Sequence, residues 1–99
     1  MKRLIRYRTR PEMIQQNQHL IENVFQALHA KAPEGIRYMV LKLADGTFLH
    51  FVEADEDSSP LTDLEAFRAF QLGIKDRCVE VPQASEATIV GNYRMLGQR

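Results

Sequence analysis

The sequence lacks several features that mark particular classes of protein. Its 99 residues include 13 basic and 13 acidic side chains, so the positive excess typical of nucleic-acid-binding proteins is missing. No apolar run approaches the length of a membrane span, and basic residues interrupt the stretch MKRLIRYRTR before the apolar region of a signal peptide can form. We therefore predict that neither nucleic acids nor membranes are partners.

Cysteine is also scarce. The single Cys78 excludes an internal disulfide and fits a reducing compartment, for which the cytoplasm is the default prediction. Cys78 continues an apolar helical stripe and no sequence signature supplies an activating base, so we interpret it as a buried thiol. A chain of 99 residues makes one domain, 1–99, with one modest core.

The clearest positive signal is a β-hairpin at 36–53. Two apolar runs, IRYMVLKLA and TFLHFVEA, flank Asp45-Gly46, and this dipeptide is typical of a two-residue type I′ turn. That turn predicts a register in which Leu43 faces Phe48 and Leu41 faces His50. The face predicted to meet the helices then carries Met39, Leu41, Leu43, Phe48 and Val52.

The second face of the hairpin is also apolar, and a chain of this length can cover only one face with helices. An exposed apolar patch of this kind marks an interface. We therefore predict a homodimer in which two sheets pack back to back about a two-fold axis. The predicted interface residues are Tyr38, Val40, Leu49 and Phe51.

The rest of the chain completes a βαββαβ order. We predict a strand at 2–9, a helix at 10–31, a second helix from 59 to about 78, an extended connection at 79–86 and a last strand at 87–96. This order predicts an α+β, ferredoxin-like fold, in which a four-stranded antiparallel sheet carries both helices on one face.

In three stretches the chain resembles the dimeric α/β-barrel superfamily, in particular small proteins related to antibiotic-biosynthesis monooxygenases. These stretches are DGTFLHFVEAD, PLTDLEAFRAFQLGIKDRC and VGNYRML. The resemblance implies a homodimer with a pocket between the helices and the sheet of each subunit. The superfamily includes cofactor-independent monooxygenases of polycyclic aromatic substrates, haem-degrading enzymes and many members without an assigned activity.

The sequence departs from these enzymes in two ways. The monooxygenases and haem-degrading enzymes commonly rely on a tryptophan, and this sequence has none. The haem-degrading enzymes also depend on a helix-borne histidine, whereas His19 projects from the polar face of the first helix and His29 lies at the border of its apolar stripe. No catalytic residue is therefore carried over from the resemblance, and we predict neither a metal nor a cofactor.

Four residues are candidates for ligand binding: Asn17, His50, Tyr7 and Tyr93. Asn17 interrupts the apolar stripe of the first helix, where it either orients a ligand or bonds to a neighbouring backbone group or water. His50 lies among apolar neighbours and could act as a base or hydrogen-bond donor, or be a core histidine bonded to a carbonyl or a tyrosine. Tyr7 and Tyr93 are the neighbours that the predicted strands would supply.

Three hypotheses of function follow, and the last of them is haem binding. In the first, the protein binds or oxidises a small aromatic molecule without a cofactor. The carbanion of the substrate would react with oxygen, so a base and an anion-stabilising group would suffice. In the second, the protein is a non-catalytic dimeric module, either structural or ligand-sensing. The missing tryptophan and the lack of a catalytic motif favour the second hypothesis.

Overall fold

The structure, a computed structural model, describes residues 1–55 and 60–95. These residues contain four strands and three helices. In chain order they are β1 (Lys2–Thr9), α1 (Ile14–Lys31), β2 (Ile36–Lys42), β3 (Thr47–Ala54), α2 (Glu65–Gln71), α3 (Ile74–Arg77) and β4 (Cys78–Glu86). Short 3₁₀ turns at Pro11–Met13 and Pro60–Asp63 precede α1 and α2. Over these residues, no helix is both long and apolar enough to cross a membrane.

The strands form one antiparallel sheet in the order β2-β3-β1-β4. The core lies between this sheet and the helices, where Tyr7 and Phe48 of the sheet meet Val24 of α1 and Phe70 of α2. Each of these four side chains is at most 4% exposed. The predicted ferredoxin-like α+β fold is therefore confirmed.

The hairpin forms, but its predicted register is wrong. Its loop has three residues, 44–46, and Leu43 pairs with Thr47 across it: the Leu43 N–H donates to the Thr47 carbonyl at 2.8 Å. The Gly46 N–H donates to the Leu43 carbonyl at 3.2 Å, and Gly46 has a φ of +88°. This is a type I turn closed by a left-handed glycine, the usual three-residue alternative to the type I′ turn.

The observed pairing of β2 with β3 differs from the predicted one by one residue, which places every side chain of β2 on the face opposite to the predicted one. Tyr38 now pairs with Val52 and Val40 with His50, so both lie on the helix-covered face and pack against the core. Of the four predicted interface residues, only Leu49 and Phe51 lie on the other side of the sheet. The face assignment of Tyr38 and Val40, together with that of Met39 and Leu41, was wrong.

The uncovered side of the sheet carries five apolar residues, which we call the open face: Leu4, Met39, Leu41, Leu49 and Phe51. Phe51 lies between Leu4 and Met39, and Leu49 lies opposite Leu41. Glu53, paired with Lys2 at 3.3 Å and with Arg37 at 3.6 Å, borders one end of this patch. The open face is therefore an apolar patch bordered by charge.

The last strand lies earlier in the chain than predicted. β4 spans Cys78–Glu86, the segment predicted as a connection, whereas 87–95 forms neither helix nor strand and residue 96 lies outside the described residues. Pro82 predicts a break in the chain, but β4 is an edge strand whose pairing with β1 shifts register between Arg6 and Arg8. An edge position tolerates the missing N–H of proline.

The second predicted helix is divided into α2 and α3. Gly73, with a φ of +76°, separates them, and α3 ends at Arg77. Cys78 already belongs to β4 and is buried. Arg77, the last residue of α3, lies inside the protein at 4% exposure. Residue 59, where the helix was predicted to begin, is outside the described residues.

Candidate functional site

A cavity of about 480 Å³ lies between the sheet and α2. Five of its lining side chains carry aromatic rings: Tyr7, Tyr38, His50, Phe67 and Phe70. Aliphatic side chains from the sheet, the turn before α2 and α3 complete the apolar walls: Ile5, Val52, Leu61 and Ile74. A cavity of this size and lining suits a small organic molecule with planar rings.

The local structure explains how the rings converge. Tyr7, Tyr38 and His50 come from three adjacent strands and point to the same side of the sheet, because successive side chains of a strand alternate between its faces. Phe67 and Phe70 are three residues apart and therefore share one side of α2. The ring of His50 lies 5.3 Å from that of Phe70 and 5.2 Å from that of Tyr7, measured between centroids.

A continuous series of hydrogen bonds runs from α3 to the cavity, and we call it the polar chain. Arg77 Nε donates to Asn17 Oδ1 at 3.0 Å, and Asn17 Nδ2 donates to Tyr7 Oη at 2.8 Å. Tyr7 Oη and His50 Nε2 are 2.8 Å apart, and His50 Nδ1 and Tyr38 Oη are 2.6 Å apart. Both ring nitrogens of His50 are therefore engaged by tyrosine hydroxyls.

Burial keeps the inner part of the polar chain uncharged. It lowers the pKa of His50 from 6.5 to about 4, so the imidazole is neutral near pH 7. Burial also raises the pKa values of Tyr7 and Tyr38 well above 10, and both hydroxyls keep their protons. Arg77 is the one charged member of the polar chain.

Arg77 is buried without a carboxylate partner among the described residues, and backbone carbonyls satisfy it instead. Its NH1 donates to the Leu72 carbonyl at 3.1 Å and its NH2 to the Phe70 carbonyl at 2.6 Å. The guanidinium also lies over the Phe70 ring, 5.4 Å from the centroid. These carbonyls belong to the C-terminal end of α2, which favours positive charge. The position of Arg77 is therefore fixed from two sides.

The structure brings together three of the four predicted ligand-binding residues. Tyr7 and His50 line the cavity, whereas Asn17 is 0% exposed and lies behind Tyr7. Tyr93 is 79% exposed in the segment after β4 and does not line the cavity. Tyr38 lines the cavity instead, because the observed hairpin register differs from the predicted one and places its side chain on the helix-covered side of the sheet.

Arg77 was missed as a member of the site. A signal for it exists in the sequence: Arg77 continues the spacing of Phe67, Phe70 and Ile74, so it lies on the apolar stripe of the predicted helix. Cys78, its neighbour, is buried as predicted, and burial raises the pKa of its thiol. The thiol is therefore unsuited to act as a nucleophile near neutral pH.

The charged groups that line the cavity are cationic. Arg3 of β1 and Lys75 of α3 contribute to its lining, and no aspartate or glutamate of residues 1–55 and 60–95 does so. The described residues contain no group of three or more histidine, cysteine, aspartate or glutamate side chains that could hold a metal ion. The lining is therefore compatible with a neutral or an anionic ligand.

No family model and no curated protein matches the chain, but solved structures do. One is a protein from Bacteriodes thetaiotaomicron whose name assigns it provisionally to the antibiotic biosynthesis monooxygenases. It matches with a TM-score of 0.77 and 16% identity, over 100% of this chain and 95% of its own.

Two further structures match nearly as well. An antibiotic biosynthesis monooxygenase has a TM-score of 0.70 at 16% identity, over 91% of this chain and 98% of its own. Rv0793 from Mycobacterium tuberculosis has a TM-score of 0.71 at 12% identity, over 92% of this chain and 95% of its own. At these identities the similarity shows that the chain has the fold of these proteins.

Proposed function

We propose that the protein binds a small aromatic molecule in the cavity between α2 and the sheet and oxidises it without a cofactor. The observation that carries this proposal is the combination of an aromatic cavity with a hydroxyl, that of Tyr38, held at its wall by a neutral His50. The fold shared with antibiotic biosynthesis monooxygenases supports the same chemistry.

The geometry favours anion stabilisation over proton abstraction. Both nitrogens of His50 are engaged by tyrosines, so the imidazole offers no free lone pair to a substrate. A substrate that ionises readily to an enolate would instead be stabilised by the Tyr38 hydroxyl and by the positive charges of Arg3 and Lys75. Its proton would pass to solvent.

The reaction follows from that anion. A methylene carbon between two aromatic rings, once deprotonated, reacts with molecular oxygen at carbon. The methylene becomes a carbonyl, one oxygen atom enters the product and the other leaves as water. The substrate supplies all the electrons, so no external reductant is required.

Anthrone, a tricyclic ketone with such a methylene, tests this proposal. We expect oxygen consumption and anthraquinone formation above the rate in buffer, and a rate lowered about tenfold or more in Tyr38→Phe. Tyr93→Phe, the same change at a residue outside the cavity, is the matched control and should match the wild type. A rate equal to buffer for the wild-type protein would refute the oxidation.

The second candidate is a ligand-binding module without catalysis. Two observations at the cavity favour it: both ring nitrogens of His50 are hydrogen-bonded, and no aspartate or glutamate of residues 1–55 and 60–95 lines the cavity. Saturable binding of anthrone under nitrogen, together with no oxygen consumption in air, would identify this function.

We also propose that the protein is a homodimer formed through the open face. Leu4 is 36% exposed and Leu41 48% exposed on one side of the sheet, which is a large apolar area to leave in water. Salt bridges at its border would suit the polar rim of a two-fold interface.

A further inference from the structure

We infer that Arg77 sets the direction of the polar chain, that is, which atom donates in each of its hydrogen bonds. As a result, the Tyr38 hydroxyl donates a hydrogen bond into the cavity and selects aromatic ligands with an acceptor oxygen. The inference rests on the proposed binding of an aromatic molecule and deepens it by naming the ligand chemistry. A ketone or phenolate oxygen placed at Tyr38 is the group that the cavity would recognise.

Arg77 is the first donor of the polar chain, because a guanidinium can donate hydrogen bonds but cannot accept them. Its Nε–H, 3.0 Å from Asn17, therefore requires the amide oxygen on that side. The amide nitrogen of Asn17 must then face Tyr7, where it donates to Oη at 2.8 Å. The orientation of the Asn17 amide follows from these two contacts.

Tyr7 accepts a hydrogen bond from Asn17 and donates the next one to His50. Its Oη accepts from Asn17, and its single proton needs an acceptor because the residue is only 1% exposed. The other hydrogen-bond partner of Tyr7 Oη in the polar chain is His50 Nε2, at 2.8 Å. The hydroxyl of Tyr7 therefore donates to Nε2, which must be the unprotonated nitrogen.

His50 then presents its proton to Tyr38. A neutral imidazole that accepts at Nε2 carries its hydrogen on Nδ1, and this N–H donates to Tyr38 Oη at 2.6 Å. Tyr38 keeps its own proton, for which the described residues supply no acceptor. Because Tyr38 is half-buried and lines the cavity, that proton is available to a ligand or to water.

The opposite assignment of donors and acceptors in the two hydrogen bonds of His50 is unfavourable. If His50 donated from Nε2 to Tyr7 and Tyr38 donated to Nδ1, the proton without an acceptor would belong to Tyr7, which is only 1% exposed. A buried donor without an acceptor is costly, whereas a donor at a cavity wall is not. The polar chain therefore ends in a donor at the cavity.

Fluorene and 9-fluorenone test the ligand preference, since they have the same tricyclic shape and differ by a carbonyl oxygen. Titration calorimetry under nitrogen, where fluorene cannot be oxidised, should give about tenfold tighter binding of 9-fluorenone, the effect of one net hydrogen bond. In Tyr38→Phe the preference should vanish while fluorene binding stays the same. Tyr93→Phe should keep the preference.

Asn17→Asp is designed to reverse the polar chain. A carboxylate accepts from Arg77 and also from Tyr7, so Tyr7 would accept from His50 Nε2–H and Tyr38 would donate to Nδ1. The Tyr38 oxygen would then present lone pairs to the cavity, and 9-fluorenone should lose its advantage. Nitrogen-15 NMR of the imidazole should show hydrogen on Nδ1 in the wild type and on Nε2 in this variant.

The possible outcomes separate the inference from the proposed function. If neither tricyclic probe binds, the proposed function fails, and the His50 tautomer in the free wild-type protein still decides the direction. If both bind equally well, the aromatic cavity stands and the inference is overturned. Hydrogen on Nε2 in the wild type would also overturn it. These measurements on the wild type and Tyr38→Phe suffice if Asn17→Asp does not fold.

Discussion

At the scale of the residue, His50 shows how burial changes the role of a side chain. An isolated histidine has a pKa near 6.5 and is a common acid or base. Here it lies 4% exposed between two tyrosine hydroxyls, and its pKa falls to about 4. The sequence pattern predicts that His50 lies on an apolar face, but its neutrality and its two partners follow from the packed structure.

The lowered pKa of His50 makes stability depend on pH. Between pH 6.5 and about 4 the unfolded chain binds a proton at this site that the folded protein does not, so stability falls as the pH is lowered. We expect a loss from this site of about 2 kcal/mol between pH 7 and pH 5, measured by urea unfolding. His50→Gln should show a smaller loss over this range.

The matched control for this prediction is a substitution at His19, whose side chain is exposed on α1 and lies outside the polar chain. His19→Gln should therefore keep the pH dependence of the wild type. An equal loss of stability in the wild type and in His50→Gln would mean that His50 is not the group responsible.

At the scale of the element, the β2–β3 hairpin shows what a short-range signal can and cannot predict. Asp45-Gly46 correctly predicts a turn, and the flanking apolar runs correctly predict two strands. Two- and three-residue loops are both compatible with this dipeptide. The Thr9 N–H, which donates to the Gly46 carbonyl at 3.0 Å, comes from another strand and could not be known from the hairpin alone.

Gly46 should be essential to the three-residue loop. Its φ of +88° disfavours any residue with a Cβ, and an added Cβ would lie 3.1 Å from Ile14 Cδ1. We expect Gly46→Ala to lower the free energy of unfolding by about 1–3 kcal/mol, measured by thermal or urea unfolding.

Gly91→Ala is the control, because Gly91 has open space around its Cα and lies outside the strands and helices. It should leave stability within about 0.5 kcal/mol of the wild type. If Gly46→Ala were as stable as this control, the left-handed conformation assigned to Gly46 would be contradicted.

At the scale of the whole molecule, the sheet separates two surfaces with different roles. One side forms the core and the aromatic cavity, and the other carries the open face. The apolar composition of both sides is visible in the sequence. The hairpin register decides which residues lie on which side. In the observed register Tyr38 lines the cavity, whereas the predicted register had placed it at the interface.

A charge on the open face should disrupt the proposed dimer. Phe51 lies between Leu4 and Met39 at its centre, and Phe51→Glu would bury an unpaired carboxylate there. We expect light scattering to give the mass of a dimer for the wild type and of a monomer for the variant, with helical circular dichroism retained.

Leu72→Glu is the control for this change, because Leu72 is 80% exposed in the turn between α2 and α3. It should leave the mass of the dimer unchanged. A wild-type protein that is monomeric, or a Phe51→Glu variant that remains dimeric, would refute the assignment of the open face as the interface.

The sequence by itself determined the features that depend on local periodicity. Alternation with a period of two placed Tyr7 and His50 on one side of their strands, and helical spacing placed Asn17 on the inner side of α1. The order of the first strands and helices follows from the same patterns. These features are short-range because each arises from neighbouring residues along the chain.

Only the tertiary structure decided the register of the hairpin, the choice of 78–86 as the last strand and the hydrogen-bond partners of Arg77. Each depends on contacts between residues far apart in the chain, such as the pairing of β4 with β1 and the hydrogen bond from Arg77 to Asn17. The polar chain, and with it the direction of the Tyr38 hydroxyl, exists only once these contacts form.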